Sequence, residues 1–200
     1  MECQLKNLIL ASASKSRSQV LLNAGVEFKV QISNVDEAVT KNCHGTGSAK
    51  ELALKLAILK ANNVSNQNKD TLVIGADQVL ECEGVLYDKP TNLVSAASHL
   101  KALRGKKHRL ISSACVACNN EILWDITDTV ILTMRNLSDE FIQSYINKVG
   151  PDILSSVGGY QLEGLGAQLF VRLEGDFFTV LGLPLLPLLD FLRTEKVLKT

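Results

Sequence analysis

The sequence predicts an α/β domain built on a mixed central sheet flanked by helices, and three observations carry that prediction. Leu8-Ile9-Leu10-Ala11 and the run from Thr71 to Ala76 are short and apolar without alternation, the pattern of strands covered on both faces. Glu51 to Val64 is a helix that is apolar nearly all round. His108 to Ala117 and Glu121 to Met134 read as long paired strands joined at the turn-prone Asn119-Asn120. Strands and helices therefore alternate without a clean βαβ repeat. No linker, internal repeat or low-complexity tract divides the chain, so residues 1–200 read as a single domain.

Taken in order, Leu8 to Ala11 is a buried strand feeding a polar turn of Ser12, Ser14 and Ser16. Arg17 to Ala24 follows as a helix, with Val20 and Leu21 on one face, Leu22 beside them and Gly25 as its stop. Phe28 to Ile32 alternates as a second strand would. Asp36 and Glu37 then lead into a polar loop with Gly45 and Gly47. In the long helix, Leu52, Leu56 and Leu59 share a face, and Lys60 falls in angle between Leu56 and Ala53. That lysine must snorkel or point into a cleft. The apolar run from Thr71 ends on Asp77, and Gln78 to Leu86 reads as a hairpin turning near Glu83-Gly84, closed by Asp88-Lys89-Pro90. Ser95 to Leu103 is helical and stops before Gly105, while Ser138 caps a helix to Lys148 that Gly150-Pro151 ends. A glycine-rich segment from Gly158 to Gly166 precedes a hairpin around Gly175, and Pro184 opens a last apolar helix reaching Arg193.

Composition narrows the function classes. Hydrophobic residues at 46% and charged residues at 21% give a core-forming chain rather than a disordered one. Lys plus Arg at 21 balance Asp plus Glu at 21, which removes the global basic field of a nucleic-acid or anionic-membrane binder. An anionic ligand must then be met by a local cluster. Glu2 stands where a basic export-signal region should be, and every apolar stretch is too short for a membrane span. An odd set of five cysteines, Cys3, Cys43, Cys82, Cys115 and Cys118, suits a reducing compartment. A cytoplasmic protein is expected.

Several groups invite chemistry. Cys115 and Cys118 have redox or zinc spacing, but three apart on a strand they face opposite sides and no second pair completes a zinc set. His44, His99 and His108 have no nucleophile motif beside them; His108, with Lys106, Lys107 and Arg109, reads as part of a solvated basic turn. Asp77 ends the most buried-looking strand, where ligands gather in open α/β sheets, although an Asp also starts turns. Asp36 and Glu37 suit an exposed loop face. The Ser12 to Arg17 turn precedes a helix, so its serines serve either an anion or a helix cap. Acids suited to hard cations, together with Arg17, Lys60 and Lys89, suggest metal-assisted attack by water on a phosphoanhydride.

These residues resemble the Maf family of nucleoside triphosphate pyrophosphatases over nearly the whole chain. The opening Leu10-Ala11-Ser12-Ala13-Ser14-Lys15-Ser16-Arg17 is similar to the family's Leu-Ala-Ser-x-Ser-Pro-x-Arg, with Lys15 in place of Pro. Asp36-Glu37, Lys60-Ala61, Gly75-Ala76-Asp77, Lys89-Pro90, the glycines from 158 to 166 and Gly182-Leu183-Pro184-Leu185 follow in the family's order. The resemblance implies a Maf/Ham1-like fold with two lobes around a cleft, a homodimer, and cleavage of a nucleoside triphosphate to the monophosphate and pyrophosphate. A divalent cation, Mg²⁺, Mn²⁺ or Co²⁺, is implied as cofactor, held by Glu37 and Asp77. Asp77 is implied as general base, Glu37, Lys60 and Lys89 as its catalytic partners, and Ser12, Arg17, Lys60 and Lys89 as phosphate contacts. Ser16, Gln78 and Glu163 would tune base choice. Gln78 and Glu163 are like the branch that cleaves 7-methyl-GTP, because a carboxylate can accept from guanine N1–H and its amino group and favours a cationic methylated ring. Nucleotide-pool sanitation and a link to division arrest are the implied roles. A nucleotide-binding regulator of division with little turnover, and a thiol redox protein using Cys115 and Cys118, are the rival readings.

Overall fold

The computed structural model describes residues 7–45 and 47–199. Glu2 and Cys3, which entered the readings of export and redox compartment, lie outside the described residues. Seven strands, β1 (Leu8–Leu10), β2 (Lys29–Val30), β3 (Leu72–Cys82), β4 (Val85–Tyr87), β5 (Lys107–Cys118), β6 (Glu121–Met134) and β7 (Phe170–Glu174), form one sheet. Their order is β2-β1-β3-β5-β6-β7, with β4 also on β3. β1 runs parallel to β2 and β3, whereas β3–β4 and β6–β7 are antiparallel, so the sheet is mixed as expected. The helices are α1 (Lys15–Asn23), α2 (Glu37–Asn42), α3 (Ala49–Ser65), α4 (Leu93–Leu103), α5 (Asp139–Val149), α6 (Phe177–Val180) and α7 (Leu185–Thr194). Among the described residues no helix is long and apolar enough to cross a membrane.

The chain divides into two compact units. The first comprises residues up to Asp77, Ser112–Asp128 and the chain from Gly182 onward; the second comprises Gln78–Ile111 and Thr129–Leu181.

In the first unit, α3 starts two residues before the expected Glu51 because Ser48 and Glu51 form a capping box, each side chain bonding the other's backbone N–H. Its buried face runs Leu52, Leu56, Lys60 with Ala53, Ala57, Ala61 and Val64, while Leu59 is 36% exposed. The shared face of Leu52, Leu56 and Leu59 is therefore corrected: at 3.6 residues per turn the i, i+4, i+8 position belongs to Lys60. Two further expectations change. The strand expected over 28–32 is reduced to Lys29–Val30, both exposed. The expected loop at Asp36-Glu37 instead opens α2, where Asp36 accepts from the Val39 N–H as N-cap.

The largest correction concerns Asp77. It does not end a strand, because β3 continues without a break from Leu72 to Cys82 and turns only at Glu83-Gly84. What ends is its neighbour. β1 pairs with Leu72 to Ile74 and stops at Leu10, so Asp77 lies on β3 beyond the carboxyl end of that parallel pairing. Gly75, two residues earlier on the same face, lets β3 approach α3: a Cβ there would stand 2.2 Å from Ala57 O and 2.8 Å from Ala61 N.

In the second unit, α4 and α5 pack with Leu80, Leu110, Leu132, Tyr160 and Leu169 in one apolar core. α4 begins at Leu93, before the expected Ser95, because Asn92 and Ser95 form another capping box. The expected hairpin around Gly175 is absent: β7 ends there and Asp176 caps α6, accepting from the Thr179 N–H. Residues 150–169 contain three short 3₁₀ segments. His108 is the other correction. It is not in a solvated turn but inside β5, only 1% exposed, and burial pushes its imidazole down to about 4. The alternation of β5 sends Lys107 and Arg109 outward and His108 inward.

Replacement of Gly75 by Ala should be costly, since the clash is with helix backbone and no flexible side chain can yield. Gly75→Ala is expected to destabilise the protein by about 3 kcal/mol, measured by urea unfolding.

Candidate active site

Three side chains of the first unit converge. Lys60 Nζ lies 2.6 Å from Asp77 Oδ1 and 2.7 Å from Glu37 Oε1. Lys60 comes from the inward face of α3, Asp77 from β3 and Glu37 from the first turn of α2. The sequence choice between snorkelling and pointing into a cleft is settled toward an ion-pair cluster: Lys60 is 8% exposed and Asp77 5%. Glu37 is the solvent-facing member, with its side chain 43% exposed. Burial makes these charges interdependent, because neither Lys60 nor Asp77 retains the hydration that would support it alone.

A second group stands beside the first. Arg17, buried on α1, donates from Nε to Gly182 O at 2.8 Å and from Nη1 to Ala76 O at 3.0 Å and Ser12 Oγ at 3.2 Å. Three of the five guanidinium donors are thus committed within the protein. One holds the carbonyl immediately before Asp77. Burial lowers the guanidinium pKa from its ordinary value, and the charges of Asp77 and then Glu37 oppose that shift. Gly182 sits at φ +90°, and a Cβ there would lie 3.2 Å from Arg17 Nε, which accounts for glycine in Gly182-Leu183-Pro184. In the preceding turn, Ser14 caps α1 through the Arg17 N–H, and Ser12 Oγ also accepts from the Ser14 N–H. The capping reading of that turn describes Ser14, whereas Ser12 serves Arg17. Ser16 lies half-buried in the first turn of α1.

The remaining candidates belong to the second unit. Lys89 is exposed in the turn after β4. Gln78 follows Asp77 on β3, and its Nε2 donates to Thr179 O and Val180 O, both at 3.0 Å. Glu163 is exposed in a turn within the glycine-rich segment. Sequence reading did not find the partners that fix these groups, namely the carbonyls of Ala76, Thr179, Val180 and Gly182, since a backbone acceptor leaves no side-chain signature.

The cysteine pair has no part in this cluster. Cys115 is fully buried, with its thiol pushed up to about 12 by burial, Cys118 is half-buried, and both are free. Among the described residues no group of three or more His, Cys, Asp or Glu could hold a metal by itself. Glu37 and Asp77, however, place two carboxylate oxygens on one cation, the ammonium of Lys60. That donor set fits a hard divalent ion whose other ligands are water and substrate phosphate, the usual arrangement for Mg²⁺.

Removing one buried partner should show the cluster's interdependence. Lys60→Met is expected to destabilise the chain by about 3–5 kcal/mol. Lys41→Met removes a 3.8 Å pair between partly exposed side chains and should change stability by less than about 0.5 kcal/mol. Urea-unfolding midpoints of the two variants make the comparison.

The chain is similar to known proteins over nearly its whole length. A family model described as Maf-like protein matches residues 7–195. The nucleoside triphosphate pyrophosphatase of Nitrobacter hamburgensis is 45% identical over 193 residues, covering 96% of this chain and 96% of its own length. The 7-methyl-GTP pyrophosphatase of Rhizobium meliloti is 46% identical over 188 residues, covering 93% of this chain and 94% of its own. A HAM1 protein from Coxiella burnetii is a distant structural likeness, with TM-score 0.41 and 14% identity over 66% of this chain and 75% of its own. With its family pattern matched almost from end to end, the chain belongs to the Maf family.

Proposed function

We propose that this chain is a nucleoside triphosphate pyrophosphatase, a hydrolase of phosphoric anhydrides that converts its substrate to the monophosphate and pyrophosphate. The observation that carries the proposal is the Glu37–Lys60–Asp77 cluster, with its Lys60–Asp77 pair buried, in a Maf-family chain. Asp77 accepts the proton of a water that attacks the α-phosphorus, a new P–O bond forms, and the bond to the bridging oxygen breaks with pyrophosphate as the leaving group. Lys60 keeps the Asp77 carboxylate in place and offsets the negative charge that gathers at the reacting phosphoryl group. Arg17 fixes the backbone at Ala76, and so the position from which Asp77 acts. Lys89, with Ser12 and Arg17, contributes to phosphate binding. Glu37 and Asp77 would hold a divalent cation, Mg²⁺, Mn²⁺ or Co²⁺, which when bound neutralises polyphosphate charge.

Base choice belongs to Ser16, Gln78 and Glu163. The Glu163 carboxylate suits a donor-bearing purine edge or a cationic methylated base, which makes a 7-methyl-GTP-like substrate the preferred candidate. A cytoplasmic homodimer engaged in nucleotide-pool sanitation, with a link to division arrest, completes the proposal.

Asp77→Asn keeps the shape of the side chain but removes the proton acceptor. It also takes from Lys60 its buried counter-charge and so lowers stability, and kcat of the folded protein is expected to fall by at least about 100-fold. Product analysis by ³¹P NMR should show monophosphate and pyrophosphate, and EDTA should stop their release. Orthophosphate as the product, binding without turnover, or wild-type rate in Asp77→Asn would contradict the proposal.

A further inference from the structure

The segment that carries Glu163 is tied near both its ends to one buried histidine. Tyr160 precedes Glu163 and Phe170 follows it, and both meet His108 of β5. His108 Nε2 and the Tyr160 hydroxyl are hydrogen-bonded at 2.8 Å. The imidazole centroid lies 5.7 Å from the Tyr160 ring and 5.8 Å from the Phe170 ring, and those two rings meet edge-on at 4.9 Å. Tyr160 is 4% exposed, so the contact lies inside the apolar core of the second unit. Between the anchors, Glu163 to Leu165, Ala167 and Gln168 reach the surface and Leu169 returns to the core, the segment being held by Gln161 Nε2 on Ser155 Oγ at 2.9 Å and by Arg135 on the carbonyls of Gln168 and Leu169.

A histidine here is costly. Its Nδ1 is buried with no hydrogen-bond partner, and burial holds the ring neutral at ordinary pH. A leucine or phenylalanine would fill an apolar core without either penalty. What the imidazole supplies and an apolar side chain cannot is the bond to Tyr160, just before the chain turns toward Glu163. Just before it, Gly158 and Gly159 both stand at φ +73°, and a Cβ on Gly158 would lie 2.6 Å from Leu80 Cδ1, so the approach of this segment is closely fixed.

We propose that His108 is a positioning residue for nucleobase recognition: by clamping Tyr160 and Phe170 it sets the loop 161–169 and thereby the place of the Glu163 carboxylate. The proposal rests on the reading in which Glu163 contacts the base, and its test separates the two. His108→Phe, His108→Gln, Tyr160→Phe and Glu163→Gln are compared with wild type by amide hydrogen exchange and by the ratio of kcat/KM for GTP and UTP. Glutamine can carry an amide group to the position of Nε2, so His108→Gln should behave close to wild type. His108→Phe and Tyr160→Phe should exchange amides 161–169 about tenfold faster, with exchange in α3 unchanged, and should shift the GTP to UTP ratio in the direction that Glu163→Gln shifts it. Should His108→Phe fail to fold, Tyr160→Phe decides. Unchanged exchange in the loop overturns the proposal, as does an unchanged ratio in a chain where Glu163→Gln moves it. If Glu163→Gln itself leaves the ratio unchanged, the base-contact reading fails, and with it the recognition role of His108.

Discussion

The ion pair between Lys60 and Asp77 is the constraint on which the rest of the first unit depends. Two opposite charges, both almost fully removed from water, are tolerable only at contact distance, and the 2.6 Å separation meets that condition. Contact requires a helix lying very close on a strand. Gly75 permits it by presenting no Cβ to the backbone of Ala57 and Ala61, and the small residues of α3 permit it from the other side. Arg17 then fixes the strand at Ala76 while bonding the carbonyl of Gly182, so residues far apart in sequence share one buried cation. Gly75, Ala61 and Gly182 read as motif letters in the sequence, and each has a steric or hydrogen-bonding reason here.

The sheet explains why the acid sits where it does. Parallel pairing to β1 ends at Leu10 and Ile74, with the Ala11 N–H still donating to Ile74 O. Beyond that point β3 continues without β1 as neighbour, and its Ala76 carbonyl is met by Arg17 Nη1, which Ser12 Oγ also holds. Ligands in open α/β sheets gather beyond the carboxyl ends of parallel strands, and Asp77 occupies such a place without ending its own strand.

Much of this was legible from residue order alone. The unalternating run before Asp77, the angular position of Lys60 on its helix, the Asn119-Asn120 turn and the Ser138 cap all rest on local rules, and the structure bears them out. Both Asn119 and Asn120 adopt positive φ, as a tight hairpin requires. Misreadings arose where a distant partner decides. The apolar run ends in sequence at Asp77, yet pairing with β4 carries the strand on to Cys82. His108 reads with its basic neighbours because sequence proximity hides the alternation of a strand. Asp36 and Glu37 read as loop residues because a six-residue helix leaves little periodicity, although an N-capping Asp was visible. The Tyr160 hydroxyl and the carbonyl of Gly182 had no local signal at all.

The most direct test of the central interaction is a double-mutant cycle on Lys60 and Asp77, read by urea unfolding of wild type, Lys60→Met, Asp77→Asn and the double variant. A buried pair in contact should give a coupling free energy of about 2 kcal/mol or more, with the double variant more stable than Lys60→Met alone. Additivity within about 0.5 kcal/mol would show that the two charges do not depend on each other, contradicting the account.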